Sequence, residues 1–213
     1  PVPRRLSRTV HAFLTALTGE NGGLLRLLFR LRPLTNPLIL AFLDRGGQAS
    51  AMIRTTQAVT VISGGSAENV LPASATAIVN IRLLHGDTIE GALERIRRVV
   101  DDPDIEVELH GEWGNSPAVE ETPPDHPIFE LIGKCVRELI PGTPVFPYLM
   151  TGSTDSSLYA DLTRNIFRFV PMYLSGEDLG LVHNVNERIS EENVERAVRF
   201  YTSFITAATG SVR

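Results

Sequence analysis

The chain has a single cysteine, Cys135, among its 213 residues. No disulfide can close within it, and no Cys-x-x-Cys metal or redox pair exists. Cys135 lies among Ile132 and Val136, neighbours that suit a buried thiol better than a nucleophile. A lone thiol fits a reducing, cytoplasmic setting. No apolar run approaches the ~20 residues that span a bilayer. Residues 24–43 come closest, but Arg26, Arg30, Arg32, Pro33 and Pro37 interrupt them, so no membrane partner is expected. An excess of basic charge is missing too: the net charge of -5 gives no general attraction to nucleic acid. The first residue is Pro1, with no methionine and no signal-like apolar core, as in a piece cut from a longer protein.

What is present is an ordinary globular composition, 43% hydrophobic and 21% charged, long enough for one large domain or two small ones. The basic residues are uneven. Arg4, Arg5, Arg8, Arg26, Arg30 and Arg32 crowd the first stretch, where Glu20 is the only acid. Such a run marks a solvated or subunit-facing surface.

The first half predicts helices and one-sided strands. Val10, Phe13, Leu14 and Leu17 recur at spacings of three and four, which predicts a helix over Leu6–Thr18. Two shorter helices, Leu24–Arg32 and Pro37–Asp44, are bounded by prolines and carry leucine on most sides. They form a helical insert at about 24–45 that must pack on something. Arg54–Gly65 is threonine-rich and β-branched, a strand pattern. The Gly64-Gly65 pair that follows reads as a turn, since neither lysine nor helix start follows it as a phosphate loop requires. From Asn69 to Leu84 the apolar residues Ala73, Ala75, Ala77, Val79, Ile81 and Leu83 alternate with polar ones, a strand covered on one face. Asp87-Thr88-Ile89-Glu90 is a capping pattern that opens a helix with Ile89, Leu93, Ile96 and Val100 inward. Ile105–Leu109 alternates as a further strand. This order suits an α+β sandwich over residues 1–111.

Residues 112–127 are rich in proline, glycine and acid and mark a boundary, although a strand could hide near Trp113. Beyond them, short apolar strands at Val145–Leu149 and Ile166–Met172 alternate with helices, which predicts an α/β arrangement over 112–213. One helix carries Ile128, Leu131, Ile132, Cys135, Val136 and Leu139 on one face. Another is expected from Thr151-Gly152-Ser153-Thr154-Asp155 through Leu162. The last is capped by Ser190, with Val194, Val198, Tyr201 and Ile205 inward.

Few residues carry chemistry by themselves. His183 lies in a loop between strand-like and helical segments, a usual place for a ligand. One imidazole is still not a site, because zinc takes three or four protein ligands. His85, His110 and His126 have no paired spacing with it or with each other. The Thr151–Asp155 turn places glycine and small hydroxyl residues at a helix start, where backbone N–H groups can hold an anion or simply be capped. Ser153 lacks a Gly-x-Ser-x-Gly elbow, which weakens a serine-hydrolase reading. Arg82 projects from the polar face of its strand. It is a surface arginine or a bidentate clamp for a carboxylate.

Three segments together carry a resemblance. Ser63-Gly64-Gly65-Ser66-Ala67-Glu68-Asn69-Val70-Leu71-Pro72-Ala73-Ser74-Ala75, running on to Asn80-Ile81-Arg82, is similar to the lid strand pair of the M20 metallopeptidases. Thr151-Gly152-Ser153-Thr154-Asp155 resembles that family's Thr-Asp turn. Val182-His183-Asn184-Val185-Asn186-Glu187-Arg188-Ile189 resembles its C-terminal metal-histidine motif. The branch most resembled is that of aminoacylases and carboxypeptidase S.

The resemblance implies a ferredoxin-like lid that dimerises, followed by the C-terminal part of an α/β zinc-peptidase domain with two zinc ions. It implies cleavage of an amide next to a free carboxylate, in an N-acyl amino acid or small peptide. Arg82 would bind that carboxylate, Asn69 would contact substrate, and Gly152 with Ser153 would offer backbone N–H groups. Thr154 and Asp155 would hold the turn, and His183 would ligate one zinc. The family's His-x-Asp motif, bridging aspartate, Glu-Glu pair and further acidic ligand would all precede the lid. So would a lid histidine, just before Pro1. The chain alone is therefore expected to be inactive. The alternative is a non-catalytic dimerising module that keeps the lid without the chemistry.

Overall fold

The computed structural model describes residues 2–20, 23, 31–45, 47–111, 115–152 and 154–210. Most of the helix expected over Leu24–Arg32 and the strand suspected near Trp113 lie outside the described residues. In chain order the elements are α1 (Arg8–Glu20), α2 (Arg32–Leu43), α3 (Gly47–Ala51), β1 (Thr56–Gly64), β2 (Ala75–Arg82), α4 (Ile89–Val100), α5 (Pro127–Leu139), a 3-10 turn (Asp155–Tyr159), α6 (Gly176–Leu181) and α7 (Glu191–Ala208). The mixture of helices with a small antiparallel sheet is α+β. No helix among the described residues is long and apolar enough to cross a membrane. The chain divides into two compact units, Pro1–Glu121 with Tyr148–Arg164, and Thr122–Pro147 with Asn165–Arg213.

In the first unit the core is Val10, Met52 and Ile53, with Leu6, Phe13, Leu14, Leu40, Leu43 and Leu149 packed around them. The expected apolar face of α1 thus supplies three of these side chains. The second expected proline-bounded helix instead begins at Arg32 and runs through Pro37 to Leu43. Pro33 falls in the first turn, where its missing N–H is harmless. Pro37 removes only one intrahelical bond, and packing of Leu40 and Leu43 on the core offsets that loss.

β1 and β2 pair antiparallel, from Thr56 opposite Arg82 to Gly64 opposite Ala75, with an irregularity between Val59 and Val61. β2 starts at Ala75, so Asn69–Ser74 belongs to the connection and not to the strand. Gly65 begins that connection with φ +75, a conformation glycine takes at no steric cost. The cap of α4 is Thr88, whose hydroxyl accepts from Gly91 N–H at 3.0 Å. Asp87, the residue the capping pattern names first, is occupied elsewhere.

The second unit is built on α5 against α7. Ile132, Cys135, Val136 and Phe200 are its buried centre, flanked by Ile128, Leu131, Leu139, Val145, Phe167 and Phe204. Phe200 stacks near-parallel on Phe204 at 5.9 Å and meets Phe169 at 5.0 Å. The expected inward stripe of α7 is corrected here. Val194, Val198, Tyr201 and Ile205 are 47, 62, 42 and 57% exposed, while Asn193 and Phe200 are buried. Positions 193, 197, 200 and 204 repeat the same spacing one residue earlier, about 100° around the helix. Periodicity alone cannot choose between two such stripes. The one with two phenylalanines buries more apolar area.

The strands expected at Ile105–Leu109, Val145–Leu149 and Ile166–Met172 have no ladder; among the described residues the only sheet is β1–β2. These segments are held in other ways. Arg97 donates to the Val107 carbonyl at 2.7 Å, and Thr122 exchanges hydrogen bonds with the Ile166 backbone at 2.9 and 3.1 Å. Val145 and Phe167 pack on the helical core. An extended segment lying on helices shows the same apolar pattern as a strand in a sheet, and this produced the expectation of a parallel sheet over 112–213.

Candidate functional site

Two of the expected site elements meet in the first unit. Arg82 closes β2, where alternation puts it on the exposed face. Its Nη1 donates to the Thr151 carbonyl at 3.4 Å, across 69 residues of sequence. The end of the strand and the Thr-Gly turn are therefore neighbours. Gly152 is half-buried in that turn. Among the described residues a Cβ there would meet only Met150 Sδ, at 3.9 Å, so their packing does not demand the glycine. Its effect is to leave the backbone open to close approach.

Ser153 lies outside the described residues. Thr154 does not cap the following turn by its side chain. Its hydroxyl pairs with Ser156 Oγ at 2.5 Å, and its carbonyl accepts from Ser157 N–H and Oγ, each at 3.1 Å. The helix expected from Asp155 through Leu162 is a short 3-10 turn that ends at Tyr159. Asn69 is exposed in the β1–β2 connection, where Val70 N–H closes a turn on the Ala67 carbonyl at 3.3 Å.

His183 belongs to the second unit. Its backbone is left-handed, φ +63, a conformation that costs a side-chain-bearing residue roughly 1–2 kcal/mol. The loop around it is self-closed. His183 N–H donates to Glu187 Oε2 at 3.1 Å, Asn184 N–H to the Leu181 carbonyl at 2.9 Å, and Glu187 N–H to the Asn184 carbonyl at 3.2 Å. Asn186 is also left-handed, φ +66, as asparagine tolerates. Asn184 and Glu187 thus brace a strained turn from which an exposed histidine projects. Strain held in place by such bracing points to a role for the residue it presents.

Among the described residues no group of three or more His, Cys, Asp or Glu could hold a metal ion. His183 supplies at most one ligand where three or four are needed.

The sequence reading overlooks one signal: His85-Gly86-Asp87 is a His-x-Asp spacing. In the first unit it anchors a polar cluster. Arg5 pairs with Asp87 at 2.9 Å and donates to the Leu84 carbonyl at 3.4 Å and to that of His85. The Thr55 hydroxyl donates to Asp87 and accepts from Leu84 N–H at 2.9 Å. Glu121 accepts from Thr9 N–H in the first turn of α1, and His85 Nε2 faces it at 3.6 Å. Burial opposes ionisation of both carboxyls, yet the bonds from Thr55 and Arg5 hold Asp87, and those from Thr9 and Ser7 hold Glu121, below their ordinary values. Burial pushes His85 below its ordinary 6.5, against the raising effect of Glu121. His85 Nδ1 is buried without a partner among the described residues. A protonated ring would strand a donor there, so geometry agrees with a neutral imidazole. With Arg5 and Thr55 occupying Asp87, this cluster is a polar tie of the fold and not a metal site.

The M20_dimer family model, described as a peptidase dimerisation domain, matches residues 11–108. The N-fatty-acyl-amino acid synthase/hydrolase PM20D1 of Xenopus tropicalis is 32% identical over 173 residues, 81% of this chain and 33% of that protein. Its human counterpart is 33% identical, over 82% of this chain and 35% of its own length. Probable carboxypeptidase S-like 2 of Dictyostelium discoideum is 32% identical, over 84% and 34%. The chain spans about a third of the length of these relatives. No solved structure matches it at a significant level. Residues 11–108 thus match the M20 peptidase dimerisation domain, and relatedness along four fifths of the chain to PM20D1 and carboxypeptidase S-like proteins is consistent with a fragment of an M20 peptidase.

Proposed function

We propose that the chain is the lid and C-terminal portion of a zinc-dependent amidohydrolase that cleaves the amide bond beside a free carboxylate, in an N-acyl amino acid or a small peptide. The observation that carries this is the meeting of Arg82 with the Thr151-Gly152 turn. A guanidinium that spends one donor on a carbonyl keeps others for a carboxylate, and an open glycine backbone beside it offers an N–H to the same group. The relatives' names, a fatty-acyl-amino acid hydrolase and a carboxypeptidase, describe substrates with such a carboxylate. On this reading Asn69 contacts substrate, Ser153 adds a second backbone N–H, and Thr154 and Asp155 hold the turn. His183 ligates one of two zinc ions. Residues 1–111 form a ferredoxin-like lid through which two copies pair, and 112–213 complete a catalytic domain.

With one ligand available, the 213-residue chain hydrolyses nothing unaided. A protein that continues it to the length of its relatives hydrolyses N-acyl amino acids and loses activity to chelator. In that protein Arg82→Ala raises KM about thirtyfold or more, the loss of a charge-assisted pair, and changes kcat little. The effect disappears on a substrate whose carboxylate is esterified. An unchanged KM removes Arg82 from the site. The competing reading, a dimerising module without chemistry, draws on the lack of a metal-holding cluster among the described residues and wins if the longer protein pairs but hydrolyses no acylated amino acid.

A further inference from the structure

The proposed carboxylate clamp sits beside a side chain that it does not itself use. Arg82 reaches the Thr151 carbonyl at 3.4 Å, and the residue before Thr151 is Met150. The chain is pinned just ahead of it. Leu149 packs on the core of the first unit, and the Tyr148 ring meets Phe13 of α1 edge-on at 5.5 Å. Met150 is left 45% exposed. Its Sδ lies 3.9 Å from where a Cβ on Gly152 would stand, so the thioether borders the glycine whose backbone is open to a ligand. Arg82, Met150, Thr151 and Gly152 all belong to the first unit, and their arrangement needs nothing from the second.

Bond lengths limit what Met150 can meet. An amino acid whose carboxylate rests on Arg82 and the Gly152 N–H has its Cα about 2.4 Å from the carboxylate oxygens. Its side chain begins one bond further on, within reach of a group that borders Gly152. A thioether has no hydrogen to donate, and its sulfur is a weak acceptor. An acidic side chain would lose water there without gaining a partner, and a cationic one would be repelled by Arg82. An apolar side chain gives up nothing polar in the contact. An aromatic ring gains most, because a thioether sulfur about 5 Å from the ring attracts it.

We infer that Met150 is a specificity-determining residue, selecting substrates whose carboxylate-bearing residue has an aromatic or large apolar side chain. The inference rests on the carboxylate reading of Arg82 and Gly152. It is tested by NMR titration of the 213-residue chain, its three methionine methyls labelled with carbon-13, with N-acetylphenylalanine and with N-acetylalanine. Met150→Gln identifies the Met150 signal as the one it removes, and replacing so exposed a side chain leaves the fold intact. N-acetylphenylalanine binds about tenfold more tightly than N-acetylalanine and moves the Met150 signal. The signal of Met52, 5% exposed in the core, stays in place. Met150→Gln cuts the preference to about twofold or less. Arg82→Ala weakens both ligands alike, about thirtyfold. If neither ligand binds, or if Arg82→Ala changes nothing, the carboxylate reading falls and this inference falls with it. If both ligands bind through Arg82 but equally well, or the preference survives Met150→Gln, or the Met150 signal does not move, the inference alone is overturned.

Discussion

Replacing Phe200 by alanine tests how α7 is seated. The ring is 2% exposed and lies among Phe169, Tyr201 and Phe204 at 5.0, 5.4 and 5.9 Å between centroids. It also packs with Ile132, Cys135 and Val136 of α5. Truncating a buried phenylalanine costs about 3–5 kcal/mol through lost transfer energy and the cavity left behind. That range already contains the aromatic pairing, ~0.5–1.5 kcal/mol per pair, so about 4 kcal/mol is expected here. Domains are stable by only about 5–15 kcal/mol, so the second unit becomes marginal. Ile205→Ala removes a side chain that is 57% exposed and costs less than about 1 kcal/mol. Urea denaturation of the 213-residue chain, followed by circular dichroism at 222 nm as is usual for helix, separates the two variants. A large loss for Ile205→Ala beside a small one for Phe200→Ala would refute this seating and restore the stripe read from periodicity.

Further tests bear on other parts of the chain. Acidification destabilises the first unit. His85 is held below 6.5, so its contribution is complete above that pH and is lost as the pH falls through its depressed value. Glu121 and Asp87, held below 4.5 and 3.8, lose theirs lower down. His85→Asn removes the upper part of this loss in a series of urea midpoints from pH 8 to pH 4, whereas a midpoint that rises from pH 7 to pH 5.5 contradicts the assignment. Asn193 is buried and bridges the backbone of Tyr173 through two hydrogen bonds of 2.9 Å; Asn193→Ala strands both groups and costs about 2–3 kcal/mol by thermal denaturation. His183→Gly relieves the left-handed backbone and leaves the melting temperature unchanged or higher, by up to about 1 kcal/mol in stability. A clear drop in melting temperature would mean the imidazole is held by packing.

Local chemistry was legible wherever neighbours in sequence do the work. Ser190 caps α7 by accepting from Asn193 N–H at 3.2 Å, and α5 buries Ile132, Cys135 and Val136 as its spacing requires. The Gly64-Gly65 pair turns the chain between β1 and β2. The M20 resemblance was legible too: the Asn69–Arg82 segment that helped carry it lies within the residues the family model matches. Other features depend on groups distant in sequence. Asp87 fits a capping pattern, but Arg5 and Thr55 claim it. His85 has no nearby partner in sequence, yet Glu121 lies 3.6 Å away.

The same division separates what the amino-acid order determined from what the fold decided. Periodicity determined that α7 is an amphipathic helix, because a repeat of 3.6 residues is a property of neighbouring positions. It left two parallel stripes to choose between, and burial of Phe200 against α5 decided which one faces inward. Alternation placed Arg82 on an exposed strand face, but only the tertiary fold brings its guanidinium to the Thr151 carbonyl. Contacts across 69 residues depend on how the intervening chain closes, and no local pattern encodes that closure.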